Sequence, residues 1–254
     1  MDMRNERFLE AVDTVILEKR NREGIGRLGE KIVHASLKLF YDSDRTHHEV
    51  KYEGFVADIL NDSGIVEIQT GSFTPLKRKL EAFLPRSPVT VVHPIPRQTT
   101  VIWIDPVSGE FSAPRKSPKR ENVCGVFRQL VSILPYLESD NLTVALLFLD
   151  VEEYRMLHPK YGKRRSTRYE RVPTALGEEI LLKTPDDYAA LLPDALPEEF
   201  TAQVFSKLAK VRGMALSAAL KVLLTLGVLS REKVGRGYLY RRNDKKKADC
   251  QNRA

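Results

Sequence analysis

The sequence predicts an α/β fold: a mixed β-sheet core flanked by helices, then a small helix–turn–helix and hairpin module. Three observations predict it. Two apolar, β-branched runs over residues 54–60 and 65–71 are joined by the turn cluster Asn61-Asp-Ser-Gly64, which is hairpin chemistry. Around them, segments follow in the order helix, three strands, helix, strand, and the last strand needs a crossover to become a parallel neighbour. The C-terminal stretch is leucine-rich at helical spacing and strongly basic, with 13 Lys and Arg against 3 Asp and Glu over residues 201–254.

Element by element, Phe8, Leu9, Val12, Val15 and Ile16 recur at helical spacing, so the first twenty residues form a helix. Residues 24–30 are glycine-rich and break that pattern. A second helix runs over about residues 27–40, with Leu28, Ile32, Ala35 and Leu39 on its inner stripe. Strands follow at 48–52, 55–60 and 65–69, then a Lys-rich helix at 75–84. Residues 88–93 and 100–104 read as strands, 122–137 as a helix and 142–149 as a core strand. This organisation sets a first domain at 1–150, a basic connector at 151–185, a C-terminal domain at 186–243 and a basic tail at 244–254.

The formal net charge is +7. It sits in the second part of the chain, which points to a polyanionic partner, most simply DNA. Two cysteines, Cys124 and Cys250, make no disulfide or metal pattern, and no apolar run approaches a membrane span. The expectation is a soluble, cytoplasmic protein without a membrane partner. Oligomeric state is open, a homodimer included.

The chemistry concentrates in the predicted hairpin. If Leu60 pairs with Ile65, Asp58 lies opposite Glu67 on one face of the sheet, with Gln69 two residues further along that face. Carboxylates on opposed residues, about 5 Å apart, repel one another, and a divalent cation is the simplest offset. This arrangement resembles the active-site hairpin of the PD-(D/E)XK (restriction-endonuclease-like) nuclease superfamily, whose core is laid down in the same element order. The resemblance implies a metal-dependent endonuclease hydrolysing DNA phosphodiester bonds. It further implies that Mg²⁺ or Mn²⁺ is held by Asp58, Glu67 and the backbone carbonyl of Ile68, while Gln69 orients the attacking water.

Two departures stand out. Ala57 occupies the position of the motif's Pro, and Gln69 that of its Lys. Some restriction enzymes of the superfamily carry Gln there, but the charge that steadies a developing anion is gone. Lys77 or Lys79, on the following helix, is the expected replacement. Glu30 stands where members place an additional acidic ligand, and it reads equally as a helix-start charge favoured by the macrodipole. His34, one turn further on, reads as structural. His47, His48 and His93 lack zinc-ligand spacing.

Two basic regions remain. Lys163, Arg164, Arg165 and Arg168 interleave with tyrosines; the pattern suits both a phosphate-contacting arm and a solvated loop. Over 186–243, a short helix, a helix–turn–helix and a basic hairpin with a Gly-x-Gly tip resemble a winged-helix DNA-binding domain. Its second helix offers Ala215, Ser217, Ala218 and Lys221 as exposed positions, few of which read base edges. Binding therefore rests on the wing: Arg231, Lys233, Arg236, Arg241 and Arg242. The rival readings are a catalytically inactive nuclease-like DNA-binding or regulatory protein, and a protein-docking module.

Overall fold

The computed structural model describes residues 2–22, 31–119, 122–160 and 163–243. They divide into two units. The first holds 1–71, 87–121 and 144–180, and the second holds 72–86, 122–143 and 181–254.

The first unit is built on a mixed sheet in the order β1-β2-β3-β4-β6-β7, with β5 paired to β4 outside that path. β1 (His48–Tyr52), β2 (Phe55–Asn61) and β3 (Gly64–Ile68) form an antiparallel meander. β4 (Val89–Ile104) runs parallel to β3, the crossover partner that the sequence predicts. The remaining strands are β5 (Arg115–Lys116), β6 (Leu142–Lys160) and β7 (Lys163–Leu182). α1 (Met3–Arg22) and α2 (Ile32–Tyr41) cover one sheet face. Phe8, Val12, Leu37 and Phe40 of the helices bury against Ile68, Val92, Leu147 and Leu149 of the strands. Burial of this kind supplies about 25 cal/mol per Å² of apolar surface and holds the layer in place.

Gly64 closes the β2–β3 turn at φ +116, and a Cβ there would stand 2.5 Å from the Pro88 carbonyl oxygen. Glycine is thus required for conformation and for space. The Pro88 oxygen accepts a hydrogen bond from the Ile65 amide at 2.9 Å, so this close approach starts the parallel ladder.

Several expectations on the sheet are corrected. The strands predicted at 88–93 and 100–104 are one strand, β4, running through Pro94 and Pro96. Pro88 and Val92 direct their carbonyls at β3, so Pro94 and Pro96 turn their donorless nitrogens to that same side. There β3 has already ended at Ile68, and no ladder bond is lost. The basic connector predicted at 151–185 is instead the continuation of β6 and the whole of β7. A Cβ on Gly177 would lie 2.9 Å from the Phe148 oxygen, so this glycine lets the two long strands approach. The predicted helix break and helix start at 24–30 lie outside the described residues.

The second unit contains α3 (Leu76–Phe83), α4 (Phe127–Leu130), α5 (Pro185–Ala189), β8 (Glu199–Thr201), α6 (Ala202–Leu208), α7 (Met214–Thr225), β9 (Leu229–Val234) and β10 (Gly237–Arg242). The helix predicted over 122–137 is broken into 3-10 turns on either side of α4, because Ile133 leaves helical geometry ahead of Pro135. α4 packs on α7, so the helical module is not confined to residues after 186. β8, β10 and β9 form a three-stranded sheet in that order. Phe200 of β8 stacks on Phe205 and Tyr240. The predicted N-cap holds: the Thr201 hydroxyl accepts from the Val204 amide. Gly227, at φ +66, follows the end of α7 as predicted.

Among the described residues, no helix is long and apolar enough to cross a membrane.

Candidate functional site

The hairpin register predicted from the turn is observed: Asn61 pairs with Gly64, Leu60 with Ile65 and Ile59 with Val66. Extended one position, that register would set Asp58 across from Glu67, but the paired ladder itself stops at Ile59–Val66. Val66 and Ile68 face the helical layer, so Glu67 points to the opposite face, where it is 2 % exposed.

Asp58 sits where the ladders on both sides are interrupted. Towards β3, pairing ends at Ile59–Val66, and the Ile68 amide donates to Asp58 Oδ2 at 2.8 Å. The carboxylate takes the place of a strand carbonyl. Towards β1, pairing runs from His48–Ile59 to Val50–Ala57 and skips the position between them. Glu49, which occupies that position, has φ +54, a left-handed conformation costing a non-glycine residue about 1–2 kcal/mol. The Glu49 carboxylate accepts from Lys38 Nζ of α2 at 2.8 Å.

His34 Nε2 lies 3.2 Å from Asp58 Oδ2. By sequence alone His34 reads as structural; the structure makes it the partner of Asp58. The signal was present in the helical stripe, since His34 shares a face with Leu37 and Lys38, but only the strand partner gives it meaning. His93 likewise gains a partner only in the fold. Its Nδ1 donates to the Gln69 carbonyl at 2.7 Å, and the Gln69 amide donates to the Val92 oxygen at 2.8 Å. β4 thus holds Gln69 by both backbone groups.

Asp42 anchors the far end of the hairpin. Its carboxylate accepts from Asn61 Nδ2 and His47 Nδ1, both at 2.8 Å, and from the Asp44 amide at 2.9 Å. Burial pushes the Asp42 carboxyl up, but these hydrogen bonds outweigh it and hold the group below its ordinary value. The same contact raises His47 above the ordinary imidazole value.

The other predicted site residues fall as follows. Lys77 and Lys79 lie on α3, in the second unit, with Lys77 exposed and Lys79 half-buried. Glu30 lies outside the described residues. Lys163, Arg164 and Arg165 fall on β7, and their side chains are likewise outside the described residues. Arg168 pairs with Glu153 at 3.0 Å. On α7, Ala218 is buried rather than exposed, because it faces the core with Ala219 and Val222. The exposed stripe is Met214, Ser217, Lys221 and Thr225, which keeps Ser217 and Lys221 of the predicted positions, while Ala215 is half-buried. On the wing, Arg231, Lys233 and Arg236 are exposed. Arg231 stacks over the Tyr238 ring at 4.5 Å. Arg241 is engaged by Glu199 at 2.6 Å, and Arg242 is half-buried.

Among the described residues, no three His, Cys, Asp or Glu side chains form a metal-ligating group. Two carboxylates and a carbonyl are nevertheless a hard-oxygen set, and Mg²⁺ commonly uses one or two carboxylates while retaining water. Asp58 and Glu67 carry donors of that class, but the His34 contact draws the Asp58 carboxylate towards α2 whereas Glu67 points to the opposite face, so the register alone does not bring the two acids together.

Fold and site together define a mixed α/β protein whose sheet carries a polar hairpin beside a helical layer. The chain belongs to the family described as "Domain of unknown function (DUF8091)", whose profile matches residues 31–183. That span begins at the start of α2 and ends just after β7, so it takes in the hairpin and leaves out the wing. The chain is also 26 % identical over 216 residues to an uncharacterized protein of Treponema pallidum (strain Nichols), an alignment covering 83 % of this chain and 84 % of that one. No solved structure matches.

Proposed function

We propose that the protein is a metal-dependent nuclease of the PD-(D/E)XK type, acting on DNA and carrying a winged-helix module at its C-terminus. The observation that carries this reading is the double interruption of the sheet at Asp58, opposite the buried Glu67. Strain and broken pairing cluster where a side chain is needed for chemistry rather than for the ladder. The antiparallel meander followed by a helix and a parallel strand supports the same reading.

In this account Asp58, Glu67 and the Ile68 carbonyl hold Mg²⁺ or Mn²⁺. When bound, the ion supplies positive charge for the phosphodiester's developing anion and lowers the pKa of a water. His34 holds the Asp58 carboxylate in position. The Ile68 amide fixes one Asp58 oxygen, and Gln69, clamped to β4, orients water through its side-chain amide. The exposed cations of the wing hold phosphate without reading sequence.

Purified protein with Mg²⁺ or Mn²⁺ should nick supercoiled DNA, and Asp58→Ala or Glu67→Ala should lower the rate by about 10²–10³-fold or more. Cleavage persisting in both variants at the wild-type rate would refute the assignment.

A second reading is a nuclease-like DNA-binding protein without catalysis. Gln69 in place of a cation and the commitment of Asp58 to His34 favour it. It predicts DNA binding with no cleavage under any divalent metal.

A further inference from the structure

A cavity of about 210 Å³ opens within the first unit, against the roughly 10–15 Å³ that seats a single water. It lies where α2 begins and β3 stops, between Lys31, Gly71, the donorless Pro94 and Pro96, and the β7 residues Arg168 and Arg171. Ends of parallel strands beside a helix start are where open α/β sheets take ligands.

The wall is organised by one carboxylate. Glu153 is 1 % exposed and is held by Arg155 at 2.5 Å, Arg171 at 2.6 Å and Arg168 at 3.0 Å. Three guanidinium groups around one acid leave positive charge in excess and fix their planes. Burial would raise the Glu153 carboxyl, but Arg171, Arg155 and Arg168 hold it below its ordinary value, so it stays charged and keeps them in place. The lining acid Glu170 is engaged by Lys19 at 2.7 Å. Lys31, at the N-cap of α2, makes no side-chain cap, and the first turn of that ten-residue helix contains no acid. Its amides add to the field that favours an anion. At the rim, Tyr169 is 59 % exposed, an aromatic surface on which a base or sugar stacks.

We propose that this cavity binds a phosphate monoester, the terminal phosphate of a nucleic-acid strand or of a free nucleotide, through Lys31, Arg168 and Arg171. Guanidinium forks match phosphate oxygens in pairs, so pre-oriented arginines select phosphate over a carboxylate or chloride of equal charge. A strand-end ligand rests on the nucleic-acid reading above; the anion site itself requires no metal and no cleavage.

The test uses the full chain in EDTA, so that catalysis plays no part. Labelled single-stranded oligonucleotides ending in a 5′-phosphate, a 3′-phosphate or two hydroxyls are titrated by anisotropy, and adenosine 5′-monophosphate and inorganic phosphate by calorimetry. A phosphorylated ligand should bind at least about tenfold more tightly than its hydroxyl counterpart, as expected for charge-assisted hydrogen bonds. Preference confined to oligonucleotides identifies strand ends, and binding of the mononucleotide without that preference identifies free nucleotides. Lys31→Ala, on an exposed side chain, and Arg168→Lys should each reduce that preference severalfold. Glu153→Gln, verified as folded by circular dichroism, should lower it, because the guanidinium planes lose the carboxylate that fixes them. Asp58→Ala should leave it intact while abolishing cleavage, which separates failure of this site from failure of the nuclease assignment. Equal affinity for phosphorylated and hydroxyl ligands of both kinds, or a preference unaffected by Lys31→Ala and Arg168→Lys, would overturn the proposal.

Discussion

Asp42, Gly64 and Asp58 lie along one hairpin and illustrate three ways a single residue constrains it. Asp42 ties the hairpin tip to the end of α2 through Asn61 and His47. Asp42→Ala should lower unfolding free energy by about 1–2 kcal/mol in urea titration, since several hydrogen bonds go at once. The pH dependence follows from opposite shifts. A depressed Asp42 contributes stability above its ordinary carboxyl value and loses it as pH falls; a raised His47 contributes below its ordinary imidazole value and loses it as pH rises through its folded value. The pair is therefore most effective between the ordinary values of 3.8 and 6.5. In Asp42→Ala, the His47 resonance should titrate at lower pH by NMR; an unchanged midpoint would show that the contact does not set it. Gly64→Ala combines strain with a backbone clash and should cost about 2–3 kcal/mol. A loss under about 0.5 kcal/mol would mean that the turn relaxes freely. Residue-scale legibility was uneven for a physical reason. The Asn61-to-Gly64 turn chemistry and the two-residue period made the register readable, whereas His34 and His93 acquire partners only once α2 and β4 pack.

Elements were legible where one periodicity ruled and illegible where tertiary placement overrode it. α1, β1, β2, β3 and α3 fall within a few residues of their predicted limits because alternation or helical spacing runs unbroken. β4 was split because prolines normally end a strand, and its continuity depends on β3 stopping at Ile68. β6 was cut short and β7 missed because the end of the one and the start of the other are basic rather than apolar, so the sequence resembles a loop although strand pairs with strand. β8, three residues long, is too short to show any period. The wing was legible through its glycine tip and basic flanks. Replacing Arg231 and Lys233 together with Ala should weaken DNA binding and flatten the plot of log affinity against log salt by about 0.9 per lost phosphate contact. An unchanged slope would remove the wing from the interface. Point replacements suit this test better than truncation at residue 186, because α4 packs on α7.

Across the whole molecule, charge and family limits divide the chain in a related way. The family profile covers residues 31–183, whereas the strongest basic excess lies beyond residue 200. A family domain with polar residues in its sheet is thereby joined to a strongly basic module. Neither feature alone defines an enzyme, and the central claim is that Asp58 and Glu67 share a cation. Its most direct measurement is calorimetric titration of Mn²⁺ and Mg²⁺ into the wild-type chain and into Glu67→Gln, a substitution that removes charge while keeping shape. The account predicts saturable, one-to-one binding to the wild type and at least about a tenfold loss in the variant, the scale of a missing carboxylate ligand. No saturable binding to the wild type, or equal affinity in the two proteins, would contradict it.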